Sequence, residues 1–182
     1  MTRNRTRIML LVALAQLSSQ RLAFAAEFDE YQVKAAFLYN FAKFVEWPSG
    51  SFTNSTDPIG ICIIGKNPFG STLENMMQGK KEGGRTFAVR WLPDTQQVHD
   101  CQILFIGAGE RKRIRALLAV LKGAAILTVG ETNDFTALGG VIDFKLDGTR
   151  VHIQIDVRMA EQNHLKISSK LLSLAEIVKQ QP

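Results

Sequence analysis

The residues of this chain that could do chemistry are two glycine-bearing turns, three histidines, two cysteines and a scatter of carboxylates. Gly107-Ala108-Gly109 resembles the start of a dinucleotide fingerprint, but the third glycine position holds Lys112. Glu110 would stand at the helix mouth where a phosphate should sit. The simpler reading is a tight strand-to-helix turn. Gly65 and Gly70 have P-loop spacing, yet Ser71-Thr72 follows where a Lys-Ser/Thr pair is required. His99, His152 and His164 show no metal-ligand spacing. Cys62 has no CxxC partner, and no GxSxG elbow occurs. Asp134, Asp143 and Asp156 could meet in space, which sequence alone does not settle. The expectation is a protein without catalytic residues, metal or cofactor.

The amino terminus sets the compartment in which these side chains would work. Arg3, Arg5 and Arg7 precede the apolar run IMLLVALAQL, and Ala23-Phe24-Ala25 closes the segment. This is the pattern of a secretory signal peptide, with cleavage after Ala25 or Ala26. Ten apolar residues are too few for a membrane core that needs about 20. Arg3, Arg5, Arg7 and Arg21 leave with the leader and no acid does, so the formal net charge falls from +5 to +1. Nucleic-acid binding, which needs a sustained basic surface, loses its support. The remaining residues, 27–182, suit one globular domain. Cys62 and Cys101 form an even pair in an oxidising compartment, which favours a disulfide over two buried thiols.

The elements that must position these groups follow from periodicity. Residues 27–46 read as an amphipathic helix, with Tyr31, Ala35, Leu38, Ala42 and Val45 on one stripe, ended by Pro48. Strands are expected at 58–65, 86–92, 101–106 and 124–129, with helices at 68–78 and 110–121 and a short one at 132–138. The βαβ rhythm predicts an α/β fold of three layers: a mostly parallel sheet with helices on both faces. Strands at 140–146 and 151–157 flank Asp147-Gly148, a hairpin signal that puts an antiparallel pair at the sheet edge. Residues 158–179 read as a closing helix with a broad stripe from Leu165 to Val178, mostly core, the remainder free for a dimer or another partner.

Several segments are similar to those of one family. Lys34 to Pro48, KAAFLYNFAKFVEWP, resembles the opening signature of the YfiR-like periplasmic proteins. Pro58–Gly70, Cys101–Gly107, Ile126–Phe144 and Lys166–Val178 resemble its later blocks. The resemblance implies a periplasmic repressor that binds the periplasmic part of an inner-membrane diguanylate cyclase. It would thereby lower cyclic-di-GMP and biofilm formation, and an outer-membrane lipoprotein would sequester it. It also implies two disulfides. Cys62 and Cys101 match one pair, while Thr136 and Asp143 stand where the second would be, so that bond is absent.

Such a repressor acts through differential affinity for the inactive state of its target and needs no catalytic group. The expected contact surface is the hairpin with the start of the last helix, including Ile142, Gln154 and Ala160. The alternative is a small-molecule-sensing module of another signalling system. Its ligand would lie in the crevice lined by the turns at Gly65–Gly70 and Gly107–Gly109.

Overall fold

The computed structural model describes residues 30–178; the expected leader and its cleavage site lie outside them. Helix α1 runs over residues 30–44 and passes directly into a two-residue strand, β1 (Val45–Glu46). Then follow β2 (Ile59–Ile64), α2 (Thr72–Met77), β3 (Phe87–Leu92) and β4 (Ile103–Ile106). Helix α3 (Ile114–Val120) leads to β5 (Leu127–Gly130), and β6 (Ile142–Asp147) and β7 (Arg150–Ile155) form the hairpin. The end of the chain comprises α4 (Val157–Gln162), β8 (Lys166–Ile167), α5 (Ser169–Leu172) and β9 (Glu176–Ile177).

The main sheet has seven strands in the order β3-β2-β4-β5-β6-β7-β9. Strands β3, β2, β4, β5 and β6 are mutually parallel, as the βαβ rhythm predicts. The β6–β7 pair is antiparallel and β9 adds beside β7. Alternate residues of β2 face opposite sides of the sheet. Ile59, Ile61 and Ile63 join a core with Leu38 and Phe41 of α1 and Leu73 of α2. Cys62 and Ile64 join a second core with Ile114, Leu117 and Leu118 of α3. Helices therefore cover both faces, and the three-layer α/β expectation holds. The β2 residues are all buried, which explains why they read as an unbroken apolar run.

The hairpin register pairs Asp147 with Arg150, so its two-residue loop is Gly148-Thr149, one place later than the Asp147-Gly148 signal. Gly148 takes φ +58°, at the first central position, where glycine has no steric cost.

Three sequence expectations are corrected. The helix at 110–121 forms only from Ile114. Arg111, Lys112 and Arg113 would place three cations at the positive end of a helix dipole, and that stretch adopts turns instead. Residues 132–138 also form turns, with Asp134 at φ +64°. The ring of Phe135 fills the space above Gly130 and Gly140, where any added side-chain carbon would collide with it.

The closing helix is the largest difference. Asp156 caps α4 by accepting the Met159 N–H at 3.1 Å. The helix stops at Asn163, and His164 turns left-handed at φ +58°. The His164 N–H bonds to Glu161 O and the Leu165 N–H to Ala160 O, both at 2.9 Å, which is the Schellman pattern. Lys166–Ile167 then pairs with β1 rather than extending a helix. Ser168 caps the short α5.

Candidate partner-binding surface

The hairpin end of the sheet carries a connected row of polar groups. The Thr136 hydroxyl donates to Gln154 Oε1 at 3.0 Å, and Gln154 Nε2 donates to Glu176 Oε1 at 3.2 Å. The row thus runs from the β5–β6 loop across β7 to β9. Opposite Gln154 in the register is Asp143, which is fully buried. Its Oδ2 accepts the Phe135 N–H at 3.2 Å and pairs with Lys145 Nζ at 2.7 Å. Its Oδ1 is buried with no hydrogen-bond partner among the described residues. Burial pushes the Asp143 carboxyl up from the usual carboxylate range, against the pull of Lys145 and of the Phe135 N–H. Thr136 thus bonds to Gln154, while Asp143 bonds separately to the Phe135 N–H and to Lys145.

Of the three residues expected at a contact surface, two lie inside the core. Ile142 is 0% exposed and Ala160 1% exposed. Ile142 is held between Ile155 across the hairpin and Val129 on the parallel side, and Ala160 faces inward from α4. Neither can touch a partner while the protein is folded. Gln154 is partly exposed, in the polar row. The exposed large apolar residues of this end are Leu146 on the hairpin, 53% exposed, and Leu174 and Ile177, 69% and 40% exposed, in the segment read as the final helix. Leu174 and Ile177 flank Glu176 in and beside the edge strand β9. The signals that could have found them are Ser168-Ser169, a cap pair, and Asn163-His164, two residues that tolerate a left-handed turn.

The crevice at the carboxyl ends of the strands is also clear. The chain passes from β2 to β3 on one side and to β4 on the other, so the turns after β2 and β4 adjoin. The mouth is acidic and occupied. Glu131 Oε1 accepts the Ala108 N–H at 3.2 Å, and Glu110 packs on Gly65. Lys34 of α1 reaches Glu131 Oε2 at 2.6 Å and also pairs with Glu30. Its Nζ lies 4.5 Å from the centre of the Tyr31 ring. A phosphate entering between these turns would meet two carboxylates, as the position of Glu110 in the sequence anticipates.

At the opposite, amino ends of the strands lies an open cavity of about 710 Å³, lined in part by Arg90, His99, Asp100 and Gln102. Asp100 pairs with Arg90 at 3.1 Å, and the Asp57 carboxylate also borders the cavity. Cys101 borders this cavity and forms the disulfide with Cys62, at a Cα–Cα distance of 5.8 Å. The bond ties β2 to the residue leading into β4, its neighbour in the sheet.

The profile of the YfiR/HmsC-like family matches residues 31–176. The chain belongs to this family. The match begins at Tyr31 in α1 and ends at Glu176 in β9, so it includes the whole seven-stranded sheet except the last residue of its edge strand. No curated protein is similar enough to match the chain.

Proposed function

We propose that this YfiR/HmsC-like protein is an exported regulator that restrains an inner-membrane diguanylate cyclase by contact with its periplasmic part. The reading rests on family membership over residues 31–176. The leader-like amino terminus supports export to the periplasm. The geometry is consistent with a binding role: the crevice where ligands of such sheets lie is closed by Lys34 and Glu131, while the far sheet edge exposes apolar side chains. Restraint needs only tighter binding to the inactive cyclase than to the active one.

The contact face we assign is the β9 edge: Leu174, Ile177 and Glu176, with Gln154 beside them. A central apolar pair within a polar rim is the usual composition of a protein interface. An outer-membrane lipoprotein covering the same edge would release the cyclase by competition.

The test is a pull-down of the mature protein with solubilised inner membrane, with cellular cyclic-di-GMP as the readout. Leu174→Glu and Ile177→Glu should fold normally, lose the cyclase and raise cyclic-di-GMP. Folded variants that retain the cyclase and leave cyclic-di-GMP unchanged would exclude this face. Failure of the wild-type protein to capture any diguanylate cyclase would exclude the function.

A further inference from the structure

A groove of about 310 Å³ lies between α3 and the residues around α4, and nothing in the proposed regulatory contact uses it. Its apolar lining comes from Leu118 and Leu121 on one side and Leu138 and Met159 on the other. This volume falls at the small end of the range for ligand pockets. We propose that the groove binds a small organic carboxylate with an apolar body.

The charge of the lining carries the argument. Arg115 and Lys122 border the groove, both exposed and neither in an ion pair among the described residues. Arg115 stands in the first turn of α3 and Lys122 in the turn that follows the helix, so the two cations border the groove at different points along it. No acidic residue lines the groove. Two unmatched cations over an apolar wall favour an anion.

The buried polar groups of the lining agree in sign. Asn163 is buried, and its Oδ1 already accepts the Gly123 N–H at 3.0 Å. Its Nδ2 makes only a long 3.5 Å bond to Ile126 O, leaving donor capacity. Thr128 is buried, and its Oγ1 accepts the Val141 N–H at 3.0 Å. The Thr128 hydroxyl hydrogen has no acceptor among the described residues. Asn163 and Thr128 thus each have a donor to spare, beside the cationic donors of Arg115 and Lys122. A carboxylate supplies acceptors only, and the Arg115 fork can hold it by two parallel bonds. The leucine and methionine walls need an apolar body rather than a second charge.

The test uses octanoate and 4-phenylbutyrate as probes, with octan-1-ol as the uncharged control, in calorimetry and thermal melting of the mature protein. At least one acid should bind saturably and raise the melting temperature. Octan-1-ol should bind at least about tenfold more weakly. The double variant Arg115→Gln/Lys122→Gln should lose that preference for the acid. Ala119→Glu, an exposed helix position on the groove, should abolish binding without loss of fold. The proposal is overturned if neither acid binds, if the alcohol binds as tightly, or if binding survives both substitutions.

Discussion

Lys34 Nζ, on a side chain only 5% exposed, lies 2.6 Å from Glu131 Oε2 and joins the first helix to the end of the fifth strand. The same carboxylate accepts from the Tyr31 hydroxyl at 3.2 Å and from the Ala108 N–H. Removing it would strand a buried ammonium ion. Breaking a buried pair by deleting one partner costs about 3–5 kcal/mol. Glu131→Ala should therefore destabilise strongly, at the low end of that range because Glu30 remains. Lys34→Met should cost less, since it leaves a carboxylate still held by two donors. Urea denaturation of both variants checks the order; equal losses would mean that the pair does not act as described.

The disulfide closes a loop with a sequence separation of 39 residues. On the chain-entropy model that is worth about 4 kcal/mol. Cys62→Ala/Cys101→Ala should lower stability by a large part of this amount, with a small added cavity cost because both residues are buried. Reduction of the wild-type protein should lower the melting temperature in the same direction. Intact mass under non-reducing conditions should show the wild-type protein free of reactive thiol.

Asp143 gives a pH dependence of defined sign. Its folded carboxyl is raised, chiefly by burial, so the folded state holds the proton more tightly than the unfolded state. Stability from this group is greatest below the ordinary carboxylate range and is lost as pH rises through the raised value. Asp143→Asn keeps an acceptor for the Phe135 N–H and removes the charge. Its stability should change less than that of the wild-type protein between pH 4 and pH 7. The variant should match or exceed the wild-type protein at neutral pH. A larger fall in the variant over that interval would contradict the assignment.

How much of this was readable from sequence follows from where the signals were local. The parallel strands were legible because buried strands such as Ile59–Ile64 are apolar on both faces. The hairpin was legible through Gly148, although its loop sits one residue on. The cysteine pair was legible from its even count together with the export that the leader-like amino terminus implies. The burial of Ile142 and Ala160 was not, because they are apolar for the sake of the core, and apolar type alone does not separate core from surface. Leu174 and Ile177 were assigned to a helical stripe that is interrupted by strand pairing with β1, a contact between residues 45–46 and 166–167. The role of Lys34 was not legible, because its partner Glu131 lies 97 residues away.

His164 offers a test of why α4 ends where it does. It is the left-handed residue of the Schellman turn, at φ +58°, exposed and with no side-chain bond among the described residues. A side chain in that conformation costs roughly 1–2 kcal/mol, which glycine does not incur. Glycine in turn has more freedom to lose from the unfolded chain, about 0.5–1 kcal/mol. His164→Gly should therefore leave stability unchanged or raise it by up to about 1 kcal/mol. His164→Val should lower it, since a β-branched residue is the least tolerant of positive φ. If α4 instead continued through this point, the order would reverse. Glycine would then weaken a helix interior and valine would cost less. The sign of the difference between the two variants in urea denaturation decides between the turn and the continuous helix.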